Sequence, residues 1–276
     1  MKLLTDYLPN KINKVLFGDR LQYGFKVNED DADWVQWLSV YSDFYSNTQK
    51  KGIGKFVNDA GYRIFKNFNF QDKVVLEIGP GSLPHLEFMK GKPSKYIIAD
   101  IDQEFLSVSK KKLDDFKIKS ESILIDNREN PNIPNIQVNS IDVIVTFYSL
   151  EHLYPLEPFL NAYKQYLKKE GVIIGAVPCE GGLAWGLGRF LTSRRWLKKN
   201  TSINPDKIIC WEHPNYISRI KNLLDKNFQL VKLLEKNLKK NKLIKIIKNN
   251  KKKFYSSVLN NKNSFDIIIN FNENNK

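Results

Sequence analysis

Residue types that could bind or transfer a chemical group fall at four places in the middle of the chain. Val74-Val75-Leu76-Glu77-Ile78 reads as a strand running into Gly79-Pro80-Gly81. Such a junction turns backbone N–H groups toward a ligand, and a Cβ at the glycines would block close approach. A dinucleotide turn wants a third glycine where this chain has Pro84. Glu77 lies two residues before the first glycine. An acid there repels a pyrophosphate and suits a ligand with a positively charged amino-acid end. Asp100 closes a second strand, where a carboxylate accepts both hydroxyls of a ribose; Asp102 is the alternative register. Asp126-Asn127 closes a third strand, placed to receive an exocyclic adenine amine. Ile141–Thr146 forms a fourth strand, followed by Phe147-Tyr148-Ser149-Leu150-Glu151-His152.

His152, a few residues past the fourth strand, and His213, in Trp211-Glu212-His213-Pro214, are the candidate proton acceptors. Either could instead orient a loop through a hydrogen bond. His85 reads as structural. Cys179 follows Pro178 at the end of the fifth strand; with no partner motif it reads as packing rather than as a nucleophile. Arg189, Arg194 and Arg195 hold three of the seven arginines, and the guanidinium fork suits a carboxylate or phosphate on a substrate. Arg–acid pairs within a structural cap are the competing explanation. Cys179 and Cys210 are the only cysteines, too few for a disulfide framework or a cysteine-based zinc site, and no metal is expected.

The elements that must position these groups alternate. Strands are expected at 73–78, 96–99, 122–125, 141–147 and 172–177. Helices are expected at Gln103–Leu113 and Leu156–Lys168, the latter stopped by Gly171. Strand–helix alternation specifies a parallel sheet with right-handed crossovers. Residues 1–70 read as a helical cap, with Trp34, Trp37, Tyr41 and Tyr45 at helical spacing and a second helix from Phe56 to Phe68. The aromatic stripe is expected to be core. Residues 71–276 form the main domain. Within it, 179–215 breaks the rhythm with four glycines, three Arg and three Trp, and reads as a lid. Residues 216–226 look helical, and Phe228–Leu234 and Phe265–Phe271 are two more strands.

Composition narrows the partners. The chain has 276 residues and a net charge of +14, with 17 Phe, 12 Tyr and 5 Trp, which excludes a mainly disordered chain. Residues 1–180 carry 23 basic and 24 acidic side chains, and residues 181–276 carry 21 and 6. The excess invites an anionic partner in the last third. It also fits a compositional bias, since Lys outnumbers Arg by 37 to 7. The Lys-rich segment 236–253 shows no clean amphipathic face and reads as a basic loop, with peripheral attraction to anionic lipid or polymer as its alternative role. No apolar run approaches the ~20 residues of a membrane span, and no signal core develops after Met1; a cytoplasmic protein is expected.

Taken in order, Glu77-x-Gly79-x-Gly81, Asp100, Asp126 and Leu150-Glu151-His152 resemble the class I S-adenosylmethionine-dependent methyltransferases, nearest to the broad type 11 small-molecule group. The resemblance covers about residues 72–178. It implies a Rossmann-like α/β fold with seven mostly parallel strands in order 3-2-1-4-5-7-6, and S-adenosyl-L-methionine as cofactor. Glu77, Gly79 and Gly81 would face its methionine part. Asp100 would bind the ribose, Ile101 would pack on adenine, Asp126 would hold the adenine amine and Tyr148 would face the sulfonium. The family's third glycine is Leu83 here. The lid's Glu-Gly-Gly and Glu-His-Pro elements resemble methyltransferases of bacterial surface-polysaccharide synthesis. The expected reaction is methyl transfer to a small or glycan-like acceptor, at oxygen. The rivals are an RNA methyltransferase using the basic last third, and a cofactor-binding module without turnover. Against RNA, the Asn/Asp-Pro-Pro-Tyr/Phe tetrad of exocyclic-amine methylation is replaced by Thr146-Phe147-Tyr148-Ser149.

Overall fold

The computed structural model describes residues 9–44, 61–236 and 264–270. The chain divides into two compact units. The sheet unit takes Asn58–Val177, Arg219–Leu234 and Asp266–Lys276; the helical unit takes Met1–Val57, Pro178–Ser218 and Glu235–Phe265.

The sheet unit is built on five parallel strands: β1 (Val74–Ile78), β2 (Lys95–Asp100), β3 (Ser120–Leu124), β4 (Ile141–Phe147) and β5 (Leu167–Pro178). Their order is β3-β2-β1-β4-β5. The central strands are apolar on both faces, as a covered parallel sheet requires. Val75, Leu76, Ile98, Val143, Ile144 and Val145 are all fully buried. Ile64, Phe65 and Phe70, just before β1, pack into the same core as Leu106 and Leu113 of the Gln103–Asp115 helix. Of the expected Phe56–Phe68 helix, the described part is α-helical at Gly61 and Tyr62 and continues as a 3-10 turn at Arg63–Asn67; Phe56–Ala60 lie outside the described residues.

Element boundaries depart from expectation at β3, which runs Ser120–Leu124 and not 122–125, and most at the start of β5. The Leu156–Tyr166 helix stops short of Lys168, and β5 begins at once with Leu167. The pull is tertiary. Leu167 is fully buried and pairs with Ile141, and the Lys168 ammonium bonds Asp142 at 2.9 Å. Gly171 therefore lies inside β5, where the register slips between Ile141 and Val143, and does not terminate the helix. Extended backbone also occurs at Gln229–Lys236 and Ser264–Asn270.

In the helical unit, α1 (Asn10–Phe17), α2 (Arg20–Tyr23) and α3 (Ala32–Phe44) join helices at Leu183–Leu191, Ser193–Asn200 and Pro205–Glu212. The segment expected to be a lid loop is thus mainly helical. The aromatic stripe is core: Trp34, Trp37 and Phe44 of α3 pack with Leu197, Ile203, Ile208 and Trp211. Tyr45 lies outside the described residues. Polar contacts fix the packing direction. The Trp37 indole donates to the Glu212 carboxylate and the Trp211 indole to the Tyr23 carbonyl, each at 2.9 Å. Lys207 bridges Asp31 and Asp33 at 2.7 and 2.8 Å, and these hydrogen bonds hold its ammonium well above the usual lysine range.

Among the described residues no helix is long and apolar enough to cross a membrane. Beyond Lys236, the Lys-rich segment lies outside the described residues. Truncating a fully buried indole leaves a cavity. Trp34→Ala should therefore lower stability by about 3–5 kcal/mol, read as a reduced urea midpoint by circular dichroism.

Candidate functional site

The parallel sheet brings the carboxyl ends of β1 to β4 to one edge, where ligands bind in open α/β sheets. β1 leaves the sheet through Gly79 and Gly81, whose φ angles of +67° and +57° suit glycine. A Cβ at Gly81 would meet nothing within 4 Å, so the turn borders open space. Leu83, standing where a third glycine was expected, takes the left-handed conformation itself at φ +49°. Its side chain is fully buried, and Pro84 starts a 3-10 turn directly after it. The turn is tied down from behind: Gly79 N–H donates to the Ala99 carbonyl at 2.9 Å, and Ser109 Oγ to the Gly81 carbonyl at 2.7 Å.

Glu77 is fully buried on β1. Its Oε2 accepts the Tyr96 hydroxyl at 2.5 Å and faces His85 Nε2 at 3.1 Å. Its Oε1 has no hydrogen-bond partner among the described residues. Burial, reinforced by the Glu77 charge, pushes the Tyr96 hydroxyl well above the usual tyrosine range, which keeps it a donor. His85 is wedged between Phe65 and Phe147, with ring centroids 4.5 and 4.6 Å away.

Asp100 ends β2, and burial pushes its carboxyl up to about 6. Its Oδ1 accepts the Asp102 N–H at 3.0 Å. Asp102 is occupied otherwise: it caps the Gln103–Asp115 helix, accepting the N–H groups of Glu104 and Phe105. That leaves Asp100 as the strand-end acid. Ile101 beside it is 46% exposed. Asp126 is exposed just past β3, and the preceding Ile125 N–H donates to the Asp100 carbonyl at 2.8 Å. Tyr148 follows β4 with φ +56°, its N–H on the Ala176 carbonyl and its ring edge-on to Tyr62 at 5.7 Å. His152 is exposed, 3.9 Å from the buried carboxylate of Glu151.

A second cluster lies in the helical unit. Glu180 is fully buried; its Oε1 pairs with Arg189 and stands 2.7 Å from His213 Nδ1. Burial opposes its charge, but Arg189 and His213 outweigh that and hold the carboxyl well below its usual range. Glu180 Oε2, Arg189 Nη1 and Trp185 Nε1 are buried without a hydrogen-bond partner among the described residues. Arg20 closes the back of this cluster's strand of chain, donating to the His213 and Pro214 carbonyls and to the Tyr216 hydroxyl.

The sequence-derived candidates are carried by both units. Glu77, Gly79, Gly81, Asp100, Ile101, Asp126, Tyr148 and His152 belong to the sheet unit's carboxyl edge. Arg189 and His213 meet at Glu180. Arg194 is buried and bonds Asp206 and the Val15 carbonyl, while Arg195 is exposed. Cys179 and Cys210 are both buried, and burial pushes the Cys210 thiol up to about 11. Tyr96, His85 and Glu180 had not been singled out as functional. A buried acid on β1 requires donors, and that requirement is the signal that could have found the first two.

Residues 47–233 match the family model described as "Methyltransferase domain". No curated protein matches the chain. Solved structures share the fold at low identity. One is the complex of the Haloferax volcanii Trm112 methyltransferase activator with its methyltransferase (11% identity, TM-score 0.52, covering 90% of this chain and 100% of that one). Another is geranyl diphosphate C-methyltransferase from Streptomyces coelicolor A3(2), in complex with Mg2+, geranyl diphosphate and S-adenosyl-L-homocysteine (8%, 0.50, 92% and 89%). A third is Haemonchus contortus phosphoethanolamine N-methyltransferase 2 with S-adenosyl-L-methionine (12%, 0.50, 84% of this chain and 60% of that one).

Removing one partner of a buried ion pair strands the other. Arg189→Ala should cost about 3–5 kcal/mol of stability near neutral pH, measured by chemical denaturation. Because folding depresses the Glu180 pKa, the pair's contribution is present above the ordinary carboxylate range and is lost as pH falls through and below it. The gap between wild type and variant should therefore narrow in acid.

Proposed function

The chain belongs to the methyltransferase-domain family, as an S-adenosylmethionine-dependent enzyme of class I fold, and from that premise we propose that it methylates a hydroxyl of a small-molecule or sugar-like acceptor. The observation that carries the reading is the row of groups at one sheet edge: Glu77 after β1's core, Asp100 ending β2, Asp126 just past β3 and Tyr148 just past β4.

These residues fit the cofactor. The unpartnered Glu77 Oε1 suits an ammonium group, the turn borders open space at Gly81, and Ile101 offers an exposed apolar face. When bound, the cofactor supplies a methyl group already activated on a sulfonium. The protein's share is placement, which accounts for much of such a barrier. Glu77 holds the amino-acid end. Asp100 accepts the ribose hydroxyls, Ile101 packs on adenine, Asp126 receives the adenine amine, and the Tyr148 ring faces positive charge.

Two histidines are the candidates for taking the acceptor's proton. His152 follows β4 in the unit that carries the cofactor residues. His213 has its Nδ1 2.7 Å from the Glu180 carboxylate, the kind of neighbour that orients a catalytic imidazole. In the helical unit, Glu180 Oε2 is an acceptor and Arg189 Nη1 and Trp185 Nε1 are donors, a set that matches a hydroxyl-bearing ligand. Arg195, exposed, is the remaining arginine for an anionic acceptor group; Arg194 we assign to structure.

The same reading includes completion of the sheet to seven strands in order 3-2-1-4-5-7-6, which the strand order through 264–270 and 229–236 supports. It also treats residues 1–70 as a cap and 179–215 as a lid; α3 and the 193–212 helices already share one core. Two of the solved structures are named for small-molecule methylation, one at carbon and one at nitrogen, so the fold alone does not select the atom.

Incubation with labelled S-adenosylmethionine and fractionated extract, followed by mass analysis, should find the label in a small or glycan-like acceptor. Label in RNA would overturn this. His152→Ala or His213→Ala, whichever removes the base, should lower kcat by roughly 10²–10⁴-fold. Asp100 gives a second expectation. Only its ionised form accepts both ribose hydroxyls, so S-adenosylhomocysteine affinity should fall roughly tenfold from about pH 7 to about pH 5. Calorimetry should show that Asp100→Asn binds weakly and loses this slope.

A further inference from the structure

The two donors behind Glu77 reach the same oxygen from different elements. Tyr96 comes from β2. It pairs with Val75, while Glu77 pairs with Ile98, so Tyr96 and Glu77 stand diagonally on one face of the sheet. Its hydroxyl reaches Oε2 at 2.5 Å. His85 comes from the 3-10 turn after the glycines and brings Nε2 to Oε2 at 3.1 Å. The aromatic rings of Phe65 and Phe147 fix its plane, and its Nδ1 has no partner among the described residues. Only the Nε2 edge of His85 meets a charge.

The large majority of buried side-chain polar atoms have a hydrogen-bond partner. Here Oε2 has two donors and Oε1 has none among the described residues. We propose that Tyr96 and His85 are positioning residues: by seating Oε2 from two sides they hold the Glu77 carboxylate in one plane and leave Oε1 for the ammonium group of the cofactor. This rests on the cofactor reading above. Two bonds to one oxygen remove the rotation that would turn Oε1 away, as outer hydrogen bonds orient the ligands of a metal. The effect is confined to the amino-acid end of the ligand, because neither residue has a bond to Asp100 or Asp126.

Calorimetry with two probes tests the assignment. S-adenosylhomocysteine carries the amino-acid end; 5′-methylthioadenosine shares the adenosine and sulfur but lacks it. Tyr96→Phe and His85→Gln should each weaken S-adenosylhomocysteine about five- to tenfold. Each should leave 5′-methylthioadenosine within about twofold. In a Glu77→Gln background, Tyr96→Phe should weaken S-adenosylhomocysteine no further. Equal losses for both probes, or full additivity with Glu77→Gln, would reduce Tyr96 and His85 to packing and overturn the proposal. A wild-type protein that binds neither probe would instead overturn the cofactor reading. Thermal melting checks folding, and His85→Gln with the same pair of probes decides the matter if Tyr96→Phe does not fold.

Discussion

A carboxylate cut off from water must find donors within the protein, and at Glu77 that requirement organises the centre of the sheet unit. Tyr96 has to lie on the same face of β2. His85 has to come back over β1 from the turn that follows it. The return is short because Leu83 reverses the chain in the left-handed region and Pro84 starts the next turn at once. Phe65 and Phe147 then fill the space around the imidazole. One charged side chain thus links β1, β2, the glycine turn and the aromatic core, while its Oε1 has no hydrogen-bond partner among the described residues.

Glu180 solves the same problem differently. Its partners are the Arg189 guanidinium and the His213 ring, rather than a phenol and an imidazole among aromatic rings. A buried ion pair of this kind is weak evidence for stability, since a hydrophobic replacement often does as well. The charge excess of the last third also looks different here. Arg194 is used by Asp206, and Arg189 is neutralised by Glu180. Two of the three clustered arginines are therefore already paired within the protein.

Much of this was legible in the sequence. The strands announced themselves through apolar runs closed by Gly79, Asp100 and Asp126, because a covered parallel strand is apolar on both faces. The Trp34/Trp37 stripe was legible as core from its spacing, though its partners, over 150 residues away in the chain, were not. The choice between Asp100 and Asp126 as strand-end acids and Asp102 as a helix cap needed coordinates, since all three are acids beside strand ends. The end of the Leu156–Tyr166 helix was missed because Leu167 and Lys168 fit a helix locally and are claimed by Ile141 and Asp142 in space. Tyr96 and His85 were passed over because convergence on one oxygen leaves no mark in linear spacing.

The joins within the helical unit have a consequence for the order in which the molecule is made. Asp33 bonds Asn204 across 171 residues, and Arg20 bonds Tyr216 across 196. On the ribosome, α1 to α3 emerge before the five parallel strands and wait for their partners until residues 197–216 have been made. The five parallel strands are complete by Pro178 and can pair before that. These helices, made before the sheet, are thus packed after its five parallel strands can pair. In the interval it carries Trp34, Trp37 and Phe44 uncovered by the Leu197, Ile208 and Trp211 side chains that later bury them. Chain ends that pair late are slow to fold and prone to associate wrongly, so truncation before residue 204 removes more than the residues deleted.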